Sequence, residues 1–361
     1  MRVLFCGGGT AGHVTPAIAV AQTVMRNSRE NKVAYVVTQN GIENKLVDFK
    51  KYTIDVIGLK RKMFFKNIAF VYKQLKAIED CKRIIREFHP DIIFGTGGYA
   101  TYPVATAAKK MGVKVVLHES NVIPGKAILS LQDKADKILI NFAESENYFK
   151  HREKLVLTGN PIRKSFEAYN KHEIKKQLGI RQKYVVLCTS GSLGANRINN
   201  SAIEIIDNLI KHRNDIFFVW STGRNEYESS LKLLKSRGLF GLNNVMVSDY
   251  FDNIPQLMAA SDVVISRAGA MTISELAYTK KASILVPSPN VTNNHQYINA
   301  HTLEKSGSAV MITEDKLYSL VDVVKELIDN ENKRRMLENN IGEYAIWDAN
   351  KKIFSILCSM L

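Results

Sequence analysis

The sequence predicts an α/β protein made of two doubly wound parallel-sheet domains facing each other across a cleft. Three observations carry this. Short apolar runs bounded by glycine and polar turns alternate along the chain with segments of helical length, the pattern of a parallel sheet wrapped by helices. The pattern occurs twice, and each series opens with a strand that runs into a glycine-rich turn and then a helix. These openings are Cys6-Gly7-Gly8-Gly9-Thr10-Ala11-Gly12-His13 and Thr189-Ser190-Gly191-Ser192-Leu193-Gly194-Ala195. A length of 361 residues suits two domains rather than one.

In the first series the apolar runs predict strands over 3–6, 33–38, 92–95, 113–118 and 138–141. In the second they predict strands over 184–189, 216–220, 245–247, 263–266, 283–286 and 309–312. The proline-containing turn Gly159-Asn160-Pro161 separates the two. The expected domains are therefore 1–160 and 161–340. The remainder, 341–361, carries Ile346, Trp347, Ile353, Phe354 and Leu357 at helical spacing and reads as a helix packing back on the first domain.

Composition narrows the class of function. With 45% apolar and 24% charged residues the chain is globular, not disordered. Its four cysteines (Cys6, Cys81, Cys188, Cys358) form no CxxC pair, so neither a disulfide framework nor a zinc site is expected and a reducing compartment fits. The chain starts directly into a strand without the apolar core of a signal peptide, and no stretch reaches the ~18 to 20 apolar residues of a spanning helix. The formal charge of +15 points to nucleic acid or to an anionic membrane surface. That charge is uneven: residues 1–160 hold 25 Lys and Arg against 14 Asp and Glu, and residues 45–86 alone hold 12 against 4. Within the latter, Lys60-Arg61-Lys62-Met63-Phe64-Phe65-Lys66 and the following Phe70, Tyr72 and Lys73 mix cations with aromatics. They fit core packing or an interfacial surface meeting anionic lipid; nucleic acid is less favoured because no known nucleic-acid-binding motif accompanies them.

The chemistry-bearing residues follow strand ends, where doubly wound sheets bind ligands. Gly7-x-Gly9-x-x-Gly12 matches a dinucleotide fingerprint, but the second strand ends Val37-Thr38-Gln39 where a ribose-binding acid is needed, and Glu43 lies beyond the turn. The glycines still bring main-chain amides at a helix start to an anion such as a diphosphate. His13, at the positive end of that helix, is a candidate base. Glu119, in His118-Glu119-Ser120-Asn121, is a second candidate. Gly95-Thr96-Gly97-Gly98-Tyr99 adds another glycine turn on the same edge, pointing to a phosphorylated ligand. In the second half Ser266-Arg267-Ala268-Gly269-Ala270-Met271-Thr272-Ile273-Ser274-Glu275 passes from strand to helix: its amides suit phosphate, and Glu275 has the two oxygens a ribose diol needs. Asn293-Asn294-His295-Gln296 offers donors and acceptors suited to a sugar.

Taken in order, Gly8 to His13, Gly97-Gly98-Tyr99, His118-Glu119-x-Asn121, Gly159 to Arg163, Gly191 to Ala195, Arg267 to Glu275 and His295-Gln296 resemble the motifs of the MurG family over essentially the whole chain. These are the UDP-N-acetylglucosamine:N-acetylmuramyl-(pentapeptide) pyrophosphoryl-undecaprenol N-acetylglucosaminyltransferases of peptidoglycan synthesis. The resemblance implies the GT-B fold, with two Rossmann-like domains. It implies an inverting transfer of N-acetylglucosamine from UDP-N-acetylglucosamine to the C4 hydroxyl of the muramoyl sugar of lipid I, giving lipid II, at the cytoplasmic face of the bacterial plasma membrane beside anionic phospholipids. By motif, the donor contacts would be Thr10, Ala11, Gly12, Asn121, Arg163, Ser192, the Phe251 backbone at uracil, Ala270, Met271, Thr272, Ile273, Ser274, Glu275 and Gln296. The acceptor diphosphate would lie against Gly9, Gly97, Gly98 and Tyr99, with His13 or Glu119 as base. No cofactor is expected, and the absence of an Asp-x-Asp triplet gives no indication of a metal clamp. The chain departs from the family pattern at Ala11, Ser190 and Leu193. The alternatives are a dinucleotide-dependent oxidoreductase, which the strand ending at Thr38 opposes, and a non-catalytic basic lipid- or nucleic-acid-binding protein, which the intact His13, Arg163 and Glu275 oppose.

Overall fold

A computed structural model describes residues 1–56, 67–166, 169–191 and 193–361, with the side chains of 67–71 left out. By their contacts the residues form two units, Met1–Ile162 with Ile346–Leu361, and Arg163–Ala345.

The first unit holds seven parallel strands: β1 Arg2–Cys6, β2 Lys32–Thr38, β3 Lys51–Ile54, β4 Ile92–Gly95, β5 Lys114–Glu119, β6 Lys137–Ile140 and β7 Leu155–Leu157, in the order β3-β2-β1-β4-β5-β6-β7. Alternation along β1 sends its side chains to two cores. Leu4 and Cys6 join Ile78, Ile85, Val104 and Ala108 of the helices Asn67–Phe88 and Thr101–Lys110. Val3 and Phe5 join Val14, Ala17 and Val24 of the helix Ala11–Asn27. Ile353 and Leu357 complete that second core. The single helix expected over 341–361 is two: Ile341 ends up buried in the helix Glu331–Gly342 of the second unit, and the chain returns to the first unit as the helix Ala349–Ser359.

The second unit holds six parallel strands: β8 Tyr184–Thr189, β9 Ile216–Ser221, β10 Val245–Ser248, β11 Val263–Ser266, β12 Ala282–Leu285 and β13 Val310–Met311, in the order β10-β9-β8-β11-β12-β13. Val186, Cys188, Ile265 and Trp220 pack beneath Ile198 and Ile205 of the helix Asn196–Asn208 and Leu320 and Val324 of the helix Leu320–Asp329.

Both sheets reverse their winding direction once. In the first unit the reversal falls between β1 and β4, in the second between β8 and β11. Loops leaving such neighbours diverge and leave a crevice at the carboxyl ends of the strands. The glycine turns after β1, β4, β8 and β11 all open there.

No helix among the described residues is long and apolar enough to cross a membrane. Of the basic aromatic stretch, Lys60 to Lys66, including Lys62, Phe64 and Phe65, lies outside the described residues, as does the side chain of Phe70. On the described part of the same helix Tyr72 is 67% exposed and Leu75 58%.

Candidate active site

In the first unit the two turns at the reversal interlock. Thr96 N donates to Cys6 O at 2.9 Å, Gly8 N donates to Gly97 O at 3.3 Å, and Thr96 Oγ1 donates to His13 O at 2.5 Å. The fit demands glycine at position 98: φ is +77°, and a Cβ there would stand 2.1 Å from Gly8 O. Gly9 lies against Tyr99, whose Cε1 is 3.1 Å from where a Cβ would be. The helix Ala11–Asn27 starts after Thr10 without a side-chain cap among the described residues and without an acid in its first turn, so its positive end is not neutralised.

His13 sits in that first turn with its ring beside Gly97, whose Cβ would be 3.4 Å from Nε2. Its Nδ1 lies 3.1 Å from Gly8 O and 3.2 Å from Thr10 Oγ1. A carbonyl oxygen only accepts, so Nδ1 carries the hydrogen and, in the neutral ring, Nε2 carries the lone pair. This is the tautomer a base needs.

Glu119 is placed differently from the sequence expectation. It is 4% exposed, and its oxygens accept three N–H bonds: Asn121 N at 2.9 Å and Asn121 Nδ2 at 3.1 Å on Oε1, and Gly125 N at 2.8 Å on Oε2. Burial pushes this carboxyl up while those donors pull it down, leaving it raised. Its visible task is to hold the loop 121–125. His118, expected to face a ligand, points inward from β5, stacks on Phe94 with centroids 6.2 Å apart, and donates from Nε2 to Gly159 O at 3.2 Å. Burial lowers its pKa to about 4, so it is neutral.

Sequence reasoning read Glu43 as lying past the turn, and it does return to the end of β2. There it is fully buried, and Oε1 accepts from Thr38 N at 3.1 Å and Thr38 Oγ1 at 2.6 Å. A carboxylate so enclosed offers no ribose contact, and the dinucleotide reading loses its remaining acid.

In the second unit the turn after β8 leans on the turn after β9. Ser190 Oγ donates to Thr222 O at 3.0 Å, and Asn199 Nδ2 donates to the same oxygen at 2.9 Å while its Oδ1 accepts from Trp220 Nε1 at 3.0 Å. Ser192 lies outside the described residues. Leu193 is an exposed apolar side chain with nothing to offer a polar ligand.

After β11 the helix Ala270–Tyr278 begins at Gly269, again with no side-chain cap among the described residues and no acid in the first turn. Ala270 and Ile273 are buried, and Ser274 Oγ turns back to donate to Ala270 O at 3.1 Å. The chemistry of 270–274 toward a ligand is therefore mainly that of main-chain amides; Met271 and Thr272 remain partly exposed. Glu275 accepts from Arg163 Nη2 at 3.3 Å, a pairing across 112 residues that no local motif announces. Burial outweighs the arginine and brings the Glu275 pKa up to about 7. The Arg163 guanidinium also stands 5.3 Å from the centre of the Phe166 ring. Phe251 is partly buried just beyond β10. Gln296 Oε1 accepts from Ser288 N at 2.9 Å, at the start of a helix entered through Asn293 and Asn294, both left-handed with φ of 55° and 51°.

Residues 3–140 match the glycosyltransferase family 28 N-terminal domain and residues 185–351 the family 28 C-terminal domain. The chain is 36% identical over 366 residues to the UDP-N-acetylglucosamine–N-acetylmuramyl-(pentapeptide) pyrophosphoryl-undecaprenol N-acetylglucosamine transferase of Thermoanaerobacter sp. (strain X514), covering 100% of both. It is 37% identical over 346 residues to the transferase of the same name from Caldicellulosiruptor saccharolyticus, covering 94% of this chain and 93% of that one. Its fold is similar to the crystal structure of Acinetobacter baumannii MurG, with a TM-score of 0.77, 22% identity and 99% of each chain covered. It is also similar to UDP-GlcNAc 2-epimerase from Neisseria meningitidis bound to UDP-GlcNAc, with a TM-score of 0.69, 15% identity, and 99% and 100% covered. The fold is GT-B, and the chain is a family 28 glycosyltransferase that belongs to the UDP-N-acetylglucosamine–N-acetylmuramyl-(pentapeptide) pyrophosphoryl-undecaprenol N-acetylglucosamine transferases, the MurG family.

Proposed function

We propose that the chain transfers N-acetylglucosamine, with inversion, from UDP-N-acetylglucosamine to the C4 hydroxyl of the muramoyl sugar of lipid I, forming lipid II, with the first unit serving the acceptor and the second the donor. The observation that carries this division is one construction used twice: a helix start without a side-chain cap among the described residues at a sheet reversal, with the imidazole of His13 beside it in one unit and the carboxylate of Glu275 one turn along it in the other. In the first, the main-chain amides around Gly9, Gly97, Gly98 and Tyr99 receive the acceptor diphosphate, and Nε2 of His13 takes the proton from the C4 hydroxyl. As that oxygen bonds to the anomeric carbon, the bond from that carbon to the diphosphate oxygen breaks and UDP departs. In the second unit, amides at the start of the helix Ala270–Tyr278 and the Arg163 guanidinium take up the charge on the departing UDP. Glu275 accepts both ribose hydroxyls, the Phe251 backbone meets uracil, and Gln296 meets the sugar. Glu119, its oxygens committed to loop amides, orders Asn121 instead of acting as base.

The assay is direct. Purified protein, UDP-N-acetylglucosamine and a short-chain lipid I analogue yield the disaccharide product; no turnover across pH and salt would refute the assignment.

The excess charge of residues 1–160 supports docking on the anionic inner leaflet, where a lipid-linked acceptor resides. The exposed Tyr72 and Leu75 lie on the helix that follows the basic stretch. Vesicle co-sedimentation tests this docking: binding should rise with anionic lipid content and fall on charge reversal at Lys62 and Lys66, and indifference to both would overturn it.

A further inference from the structure

We propose that Glu43 is a positioning residue of the acceptor site, acting through Thr38 on Tyr99 and on the glycine turn after β1. The proposal rests on the assignment of that turn to the acceptor. Its starting point is a carboxylate with no exposure at all, a costly placement unless hydrogen bonds compensate it. The compensation is one-sided. Oε1 accepts both Thr38 bonds, while Oε2 has no hydrogen-bond partner among the described residues.

Two glycines are shaped around this group. A Cβ on Gly41 would stand 2.0 Å from Oε1, and a Cβ on Gly8 would stand 2.9 Å from Oε1 and 3.1 Å from Oε2. Neither glycine is needed for a left-handed backbone, since neither has positive φ. What the missing side chains provide is room for the carboxylate against the turn.

The direction of the hydrogen-bond chain then follows. A carboxylate only accepts, so the Thr38 hydroxyl donates to Oε1 and has lone pairs left for Tyr99, whose hydroxyl is 3.3 Å away. Tyr99 therefore donates inward to Thr38, and its ring is held against Gly9. The phenol presents its oxygen, not its proton, to the acceptor, so at this point it meets a hydroxyl or amide of the lipid-linked sugar, while the diphosphate is left to the main-chain amides of the glycine turns.

The test measures both substrates' KM with the short-chain lipid I analogue. Glu43→Ala should raise the acceptor KM about tenfold and leave the donor KM unchanged, as expected for misplacement of a binding group. Glu43→Gln, which keeps an oxygen for Thr38, should restore most of the loss. Because Glu43→Ala risks misfolding, Thr38→Val serves as a second variant: it replaces the hydroxyl by a methyl and should also raise the acceptor KM, and Thr38→Val with Tyr99→Phe should raise it by less than the product of the two single effects. Lowered melting temperatures with both KM values unchanged, or equal rises in both, would overturn the proposal. If the wild-type chain transfers no sugar, the assignment beneath it falls first.

Discussion

On the proposed assignment of Glu275 to the ribose, donor binding should depend on pH through this carboxyl. Burial brings this carboxyl to about 7 against an ordinary 4.5, outweighing the downward pull of Arg163 paired with it at 3.3 Å. The ionised carboxylate offers one charged oxygen to each hydroxyl of a ribose diol, whereas protonation removes the charge and turns one of the two oxygens into a donor. With a pKa near 7 the ionised fraction falls from about 0.9 at pH 8 to about 0.1 at pH 6, so the Kd for UDP-N-acetylglucosamine should rise about tenfold over that range. The unliganded protein responds in the opposite sense: folding raises this pKa, so the stabilisation linked to it is full below 4.5 and is lost as pH rises through 7. Removing the carboxylate with Glu275→Ala at pH 8 deletes charge-assisted hydrogen bonds worth about 1.5–3 kcal/mol, a Kd increase of about 10- to 100-fold. Calorimetric titration with UDP-N-acetylglucosamine at pH 6, 7 and 8 reads all of this. The reasoning fails if the wild-type Kd is flat across the range, or if Glu275→Gln, which has no proton to lose, keeps the same slope.

Three further outcomes follow from the geometry. His13→Ala should lower kcat by about 10²- to 10⁴-fold, the usual weight of a general base, and leave the donor KM unchanged; steady-state rates decide it. Burial depresses the His118 pKa from 6.5 to about 4, so the stability it contributes is present above 6.5 and lost as pH falls toward 4. The size is about 3 kcal/mol, and urea unfolding of wild type against His118→Gln should show that acid-sensitive component only in the wild type. Gly98→Ala and Gly112→Ala form a matched pair, with φ of +77° and +73°, but a Cβ on Gly112 meets nothing within 4 Å while one on Gly98 meets Gly8 O. Gly112→Ala should cost about 1–2 kcal/mol of backbone strain. Thermal unfolding should find Gly98→Ala much more damaging, with loss of transfer activity.

All eleven strands expected from apolar runs match observed strands within one residue at each end. The last of them, 309–312, loses one residue at each end and leaves the two-residue β13. Two observed strands were not among those expected. β3 and β7 are the edges of the first sheet; β3 reads Lys51-Tyr52-Thr53-Ile54 with only Ile54 fully buried, and β7 is an apolar run of just three residues, Leu155-Val156-Leu157, none of them buried. The glycine turns were legible because main-chain geometry leaves a mark on sequence: a tight turn at a strand end needs glycine wherever it appears. Partners were not legible. Glu119 was a candidate base until the amides of 121–125 were seen on its oxygens, Arg163 and Glu275 looked like two separate ligand contacts, and Glu43 looked like a residue past a turn. Each depends on a contact whose other half carries no local pattern.

The distinction between His13 and Glu119 turns on what each would give up to accept a proton. Protonating Glu119 puts a hydrogen on an oxygen that already receives N–H bonds from Asn121 or Gly125, and so releases the loop it holds. Its raised pKa makes that protonation easier, but the cost falls on the arrangement of Asn121, itself an expected donor contact. Protonating His13 leaves the Nδ1 support in place: Nδ1 keeps its hydrogen on Gly8 O, and the new proton goes to Nε2 at the glycine turn. The helix start opposes the resulting imidazolium, which keeps the resting ring neutral and makes proton return favourable once the sugar has been transferred. A base that must cycle in every turnover belongs where gaining and losing a proton leaves its supports in place, and on that criterion the first turn of the helix Ala11–Asn27 is the better seat.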